Sequence, residues 1–171
     1  MAMVLVLGGA RSGKSDLAVR LAVESGMPVA FIATADAGDE EMSLRIRRHR
    51  EGRPADWMVI EAPLDLLDAI RRAGKRDFVI VDCLTLWVSN LMGAGRSLDQ
   101  ISLLAAEVAD ELASRDAVVV SNEVGMGIVP GNELARSFRD VLGNLNAVFA
   151  RCADRTVLMV AGLALELRQP T

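Results

Sequence analysis

The chain has 171 residues, of which 51% are hydrophobic and 25% charged, and its formal net charge is −4. This length fits one domain over residues 1–171, which would bury roughly 70% of the surface of the unfolded chain. The negative charge, the absence of tyrosine and the presence of only two tryptophans argue against a nucleic-acid partner, because such proteins use basic faces and stacking aromatics.

The sequence predicts neither export nor membrane insertion. Its first residues, MAMVLVLGGARSGKS, lack the basic n-region of a signal peptide, and no apolar run reaches the ~20 residues that span a bilayer. Cys83 and Cys152 lie far apart and outside any paired-ligand spacing, so they indicate neither a disulfide framework nor a zinc site. We therefore expect a cytoplasmic protein, with Cys83 as a small core residue rather than a reactive thiol.

Short apolar runs alternate along the chain with longer segments of helical spacing. Their positions predict strands at 3–7, 28–33, 57–61, 78–82, 117–123 and 156–162. The helical spacing predicts helices at 16–26, 39–52, 63–74, 97–115 and 132–153. Continuously apolar strands that alternate with helices are typical of a mostly parallel sheet covered by helical layers. The sequence therefore predicts an α/β fold.

Residues 8–15, GGARSGKS, match the pattern G-x-x-x-x-G-K-[ST]. Glycines let backbone N–H groups surround phosphate oxygens at the start of a helix, Lys14 reaches the terminal phosphates, and the Ser15 hydroxyl can ligate Mg²⁺. The alternative, a chance match in a glycine-rich turn, is disfavoured because a predicted strand precedes the loop and a helix follows it. The loop predicts nucleotide binding and a three-layer P-loop NTPase-like (RecA-like) fold, but it does not choose between ATP and GTP.

Two acids follow predicted strands, at the edge where ligands of parallel sheets bind. Asp82 ends the run FVIVD and is the candidate for the acid on the metal side of a nucleotide site; the alternative is a helix N-cap. Glu123 lies near another strand end, before a run with Gly125 and Gly127. A site role and a plain surface carboxylate both remain open for it.

His49 is the only histidine, and five arginines lie within four positions of it in the stretch RIRRHREGR. One interpretation is a solvated basic helix end with an incidental imidazole. The other is a nucleophile that attacks phosphorus and forms a phosphoramidate. Neighbouring cations would lower the pKa of the imidazole, so that the neutral ring persists near pH 7, and would hold a triphosphate. The phosphate loop favours the nucleophile.

Four stretches resemble one enzyme family, the bifunctional adenosylcobinamide kinase / adenosylcobinamide-phosphate guanylyltransferases of cobalamin biosynthesis. They are GGARSGKS, FIATADAGDEEMSLRIRRHREGRPADW, VDCLTLWVSNLM and SNEVGMGIVPGNELARSFRDVLGNLNAVFA. The resemblance runs in order from about residue 4 to residue 167. The two long stretches are much more specific than the glycine loop.

This resemblance implies two reactions and a set of residues for them. ATP or GTP phosphorylates the aminopropanol hydroxyl of adenosylcobinamide; GTP then guanylylates His49, and GMP passes to adenosylcobinamide phosphate to give adenosylcobinamide-GDP and pyrophosphate. The resemblance also implies a homotrimer, while Ser15 and Asp82 are the Mg²⁺ ligands predicted above from the loop and the strand end. The implied nucleotide contacts are Gly8, Gly9, Ala10, Arg11, Ser12, Gly13, Lys14, Ser15, Ala33, Thr34, Ala35, Arg50, Glu51, Gly52, Arg53, Glu61 and Asp82.

Two rival functions make different predictions. A simple small-molecule kinase would use the same loop without a covalent step, so that His49 could be replaced with little loss of phosphoryl transfer. A nucleotide-switched binding module would turn over slowly, depend on a partner and transfer nothing to a small acceptor.

Overall fold

The computed structural model describes residues 3–36 and 54–167. Within these ranges the strands are β1 (Met3–Gly8), β2 (Val29–Ala33), β3 (Met58–Glu61), β4 (Phe78–Asp82), β5 (Ala117–Val120), β6 (Arg155–Val160) and β7 (Leu163–Leu167). The described helices are α1 (Lys14–Ser25), α2 (Leu66–Arg72), α3 (Leu84–Gly93), α4 (Leu98–Ala113) and α5 (Glu133–Cys152). The predicted helix at 39–52 lies outside the described residues.

All seven strands form one sheet in the order β3-β2-β4-β5-β1-β6-β7. The first six are mutually parallel, and β7 alone runs antiparallel, to β6. Parallel neighbours need crossover connections, and helices supply them between most consecutive strands. The sheet therefore brings the carboxyl ends of β1 to β6 to one edge.

Helices cover both faces of the sheet, and each face has its own apolar cluster. On one face, α1 packs Ala18 and Ala22 against β-strand residues such as Phe31 and Ile80. On the other face, α2 to α5 bury larger side chains, among them Trp87 and Phe149. The result is the predicted arrangement of three layers, with the sheet as the middle layer.

The structure confirms most predicted elements, corrects the ends of two strands, and adds helix α3 and strand β7, neither of which was predicted. The predicted strand at 117–123 ends at Val120, and the chain continues through residues 121–132 without regular structure. The predicted last strand ends at Val160, and β7 follows after only two residues. In that turn Ala161 and Gly162 have φ values of 51° and 81°, as a two-residue type I′ hairpin turn requires.

Candidate functional site

The strand register aligns the predicted site residues at the carboxyl edge of the sheet. Asp82 pairs with Ala33 of β2 on one side and with Val120 of β5 on the other, and Ala33 in turn pairs with Glu61 of β3. Val120 also pairs with Val6 of β1, and β1 continues beyond this pair to Gly8. Residues from five strands, β1 to β5, thus reach one edge.

In the phosphate loop of residues 8–15, the positions of Gly8 and Gly13 both require glycine. Gly8 has a φ of 150°, and a Cβ there would lie 2.5 Å from the Met159 carbonyl oxygen and 2.7 Å from Ser12 Oγ. Gly13 is the N-cap of α1 with a φ of 94°, in the left-handed region that side chains disfavour. Between them Gly9, Ala10 and Arg11 are exposed. The loop therefore presents its backbone to solvent at the start of a helix, as phosphate binding requires.

Two polar side chains of the loop are buried inside it. Lys14 is 7% exposed and its ammonium group donates to the Gly9 carbonyl oxygen at 2.6 Å. Ser12 is equally buried, and its hydroxyl has no hydrogen-bond partner within residues 3–36 and 54–167. The Ser12 carbonyl accepts a hydrogen bond from Gly162 N–H at 3.1 Å. The β6–β7 turn thereby supports the phosphate loop from one side.

Ser15 and Asp82 are in direct contact although 67 positions separate them. The Ser15 hydroxyl donates to Asp82 Oδ2 at 3.2 Å, and both side chains are half-buried. Hydroxyl and carboxylate oxygens are ligands that Mg²⁺ accepts. The pair that the sequence predicted for a metal therefore converges on one point beside the phosphate loop.

Thr34 joins the ends of β2 and β4. Its fully buried hydroxyl donates to the Cys83 carbonyl at 2.6 Å and accepts from Cys83 N–H at 2.8 Å. Asn90 of α3 donates to the Thr34 carbonyl at 2.8 Å and to the Pro63 carbonyl at 3.0 Å. These bonds fix the chain next to Asp82, a supporting role that the sequence reasoning missed. Contact between Thr34 and a nucleotide stays a prediction.

Burial controls the chemistry of Cys83. Its side chain is buried, and this desolvation, together with the negative charge of Asp82, raises the pKa of the thiol to about 11. The thiol is therefore protonated at neutral pH. This confirms the sequence-based interpretation of Cys83 as a small core residue.

Ala35 is half-buried and Glu61 is exposed, both at the same edge as Asp82. The remaining predicted contacts, His49, Arg50, Glu51, Gly52 and Arg53, lie outside the described residues. Within the described ranges no group of three histidine, cysteine, aspartate or glutamate side chains is arranged to hold a metal ion by itself. Nor is any helix in those ranges long and apolar enough to cross a membrane.

The segment after β5 contacts the phosphate loop through Glu123 and then carries exposed apolar side chains. Glu123 N–H donates to the Gly8 carbonyl at 3.1 Å. Met126 and Ile128, which follow, are 78% and 98% exposed. The sequence shows the glycines of this segment, but only the structure shows that its apolar side chains are left uncovered within the described parts of the chain.

A sequence model described as cobinamide kinase / cobinamide phosphate guanyltransferase matches residues 4–167. The chain belongs to this family. The bifunctional adenosylcobalamin biosynthesis protein CobP of Pseudomonas aeruginosa is 47% identical over 169 residues, which cover 96% of each chain. The CobU protein of Salmonella typhimurium, also named a bifunctional adenosylcobalamin biosynthesis protein, is 40% identical over 97% of this chain and 99% of its own. These matches confirm the predicted family and its pair of transferase activities, kinase and guanylyltransferase.

Solved structures with little sequence identity share the fold. A Pyrococcus horikoshii protein superposes with a TM-score of 0.58 at 10% identity, covering 96% of this chain and 85% of its own. The RadB recombinase gives a TM-score of 0.52 at 13% identity, covering 92% and 73%. The predicted P-loop NTPase-like (RecA-like) α/β fold is thereby confirmed.

Proposed function

We propose that the phosphate loop of residues 8–15 serves both reactions of the family in this chain. In the kinase reaction the aminopropanol hydroxyl of adenosylcobinamide takes the γ-phosphoryl group of ATP or GTP. In the guanylyltransferase reaction a ring nitrogen of His49 attacks the α-phosphorus of GTP, and the bond to the bridging oxygen of pyrophosphate breaks. GMP then passes from His49 to adenosylcobinamide phosphate.

The observation that carries this proposal is the convergence of the loop, Lys14 and the Ser15–Asp82 pair at one edge of the sheet. The loop's N–H groups and Lys14 would bind the phosphates. Ser15 and Asp82 would hold Mg²⁺, which shields phosphate charge when it is bound. The fold and family membership support these roles.

The other predicted contacts complete the proposed nucleotide site. Ala33, Thr34, Ala35 and Glu61 would line it, since Ala33 and Glu61 end β2 and β3 and Thr34 and Ala35 directly follow β2. The cations Arg50 and Arg53, with Glu51 and Gly52 between them, would hold the triphosphate near His49. The charge of these arginines would keep the imidazole neutral and ready to attack.

The proposal extends to assembly and location. By its resemblance to the family, the chain would form a homotrimer. Each subunit would be one catalytic domain that acts in the cytoplasm on small corrinoid substrates. Exposed apolar residues on the β6–β7 hairpin, such as Leu163 at 75% exposure, are compatible with burial by another subunit.

Labelling with GTP that carries radioactive α-phosphate tests the covalent step. Wild-type protein, incubated with Mg²⁺ and separated by denaturing electrophoresis, is expected to retain a label that is labile in acid and stable in alkali. The His49→Ala variant should take up no label, because a phosphoramidate needs the imidazole nitrogen.

Lys14→Ala provides the matched control, since it should lose the label through weaker nucleotide binding. Thermal unfolding with and without GTP separates the two causes: His49→Ala should keep the stabilisation by GTP, and Lys14→Ala should not. A wild-type protein without label, or a His49→Ala variant with full label, would exclude the guanylylated histidine. Retained phosphoryl transfer to adenosylcobinamide would then leave the simple kinase as the function.

A further inference from the structure

Glu123 is a carboxylate at the phosphate-binding edge that neither proposed half-reaction uses. It lies three residues beyond Val120, at the end of β5, and β5 lies between β1 with the phosphate loop and β4 with Asp82. Its own N–H donates to the carbonyl of Gly8, the first loop residue, at 3.1 Å. The residue is therefore beside the phosphates that the loop would bind.

Three elements fix the backbone at this position. Asn122 N–H donates to the Thr85 hydroxyl of α3 at 2.8 Å. The Asn122 carbonyl accepts from the amide of Asn146, a residue of α5 that is only 5% exposed, at 3.1 Å. The third bond is the one from Glu123 to Gly8. A group that must meet a reacting atom needs such support from packed elements, and a carboxylate on an unconstrained surface loop has none.

The Glu123 side chain is half-buried, and exposed apolar residues follow it in the chain. Its Oε1 accepts the N–H of Gly125, and an ionised carboxylate has room for further donors. The next apolar side chains along the chain, Val124, Met126 and Ile128, are exposed. An alcohol carried by a bulky, partly apolar acceptor could therefore bring its hydroxyl to this carboxylate from the loop side.

We propose that Glu123 is the general base of the phosphoryl transfer. Its carboxylate takes the proton of the acceptor hydroxyl while the hydroxyl oxygen forms a bond to the γ-phosphorus. The bond from the γ-phosphorus to the β,γ-bridging oxygen breaks, and the nucleoside diphosphate leaves with that electron pair. Asp82 is engaged with Ser15 on the metal side, so that the two acids have separate tasks. This inference rests on the kinase half of the proposed function.

The Glu123→Gln variant tests the assignment, because the two reactions depend on this residue differently. Glutamine keeps the size of the side chain and an oxygen that accepts Gly125 N–H, but it cannot take a proton. The rate of phosphoryl transfer to adenosylcobinamide should fall about 10²–10⁴-fold, the usual contribution of a general base. Labelling of the protein by α-labelled GTP should remain at the wild-type level, since no acceptor hydroxyl takes part in it.

Two further variants control the experiment. Glu107→Gln removes the same charge from the exposed surface of α4 and should leave both reactions unchanged. Glu123→Asp keeps a carboxylate base on a side chain one methylene group shorter, and it should retain more kinase activity than Glu123→Gln. The KM for the nucleotide should be unaffected in Glu123→Gln, whereas a residue that only shapes the loop would change it.

Three outcomes would overturn the assignment. Wild-type kinase rates in Glu123→Gln would show that no proton passes to this side chain. A parallel loss of kinase activity and GTP labelling would reduce Glu123 to a support of the nucleotide pocket. Wild-type protein that is labelled by GTP yet transfers no phosphate to adenosylcobinamide would remove the kinase half together with this inference. Absence of both reactions in wild type would instead be the failure of the proposed function itself.

Discussion

At the scale of single residues, the site depends on contacts between side chains that the sequence keeps far apart. The Ser15–Asp82 hydrogen bond of 3.2 Å joins the start of α1 to the end of β4. The Thr34–Cys83 bonds lock the adjoining strand ends. Because a misplacement of about 1 Å can cost on the order of 100-fold in rate, these bonds would support catalysis at the proposed site by holding its residues in place.

The raised pKa of Cys83 makes a prediction about its reactivity. With the pKa near 11 instead of 9.0, the thiolate fraction at pH 8 falls from about one tenth to about one thousandth. We expect iodoacetamide to modify Cys152, which is half-buried, well before Cys83, as measured by mass spectrometry of the digested protein. The rate at Cys83 should rise as the pH approaches 11.

Unfolding in guanidinium chloride supplies the control, since both thiols should then react at similar rates. The Cys152→Ala variant should show only the slow reaction in the folded state. If Cys83 were modified first at pH 8 in the native protein, its assignment as a protonated core residue would fail.

At the scale of elements, the two-residue turn between β6 and β7 links sheet geometry to the phosphate loop. Gly162 has a φ of 81° and no atom lies within 4 Å of the position of a Cβ. The Gly162→Ala change should therefore lower the free energy of unfolding by about 1 kcal/mol, through backbone strain alone. Denaturant titration measures this difference.

The neighbouring position gives the matched control for that change. Ala161 already occupies the left-handed region with a φ of 51°, so that Ala161→Gly should not reduce stability. GTP binding should persist in Gly162→Ala, because alanine keeps the N–H that donates to the Ser12 carbonyl. A Gly162→Ala protein as stable as wild type would contradict the strained turn.

The elements differ in how clearly the sequence predicts them. The helix predicted at 97–115 is present as α4, and its capping box, with Ser97 and Gln100 bonded reciprocally, is a local signal that depends only on residues three apart. By contrast, β7 was missed. Its five residues are all exposed, and its Ala-Gly turn is not one of the usual hairpin dipeptides. The predicted end of β5 was also wrong, since the strand ends at Val120, although the N–H groups of Ser121 and Glu123 still donate to the Val6 and Gly8 carbonyls of β1.

At the scale of the whole molecule, nucleotide binding should stabilise the fold. A ligand that binds only the native state at about 100 times its Kd adds about 2.7 kcal/mol to the free energy of unfolding. We expect GTP with Mg²⁺ to raise the Tm of wild-type protein accordingly. The Lys14→Ala variant should show little increase, because the ammonium that would bind the terminal phosphates is gone.

Lys75→Ala is the control for this experiment, since Lys75 is the other lysine of the chain and is exposed. It removes the same charge and should respond to GTP as wild type does. An equal Tm increase in Lys14→Ala and wild type would show that the loop is not the nucleotide site.

The sequence by itself determined the α/β layering, the phosphate loop and the family, because each depends on local periodicity, fixed spacing or contiguous motifs. It also singled out Asp82, since an acid after an apolar run marks a strand end. Tertiary structure decided which distant residues meet: the strand order that puts β5 between β1 and β4, the Ser15–Asp82 contact and the anchoring of Glu123. Such contacts arise from pairing across the sheet, and no local pattern in the chain encodes strand order.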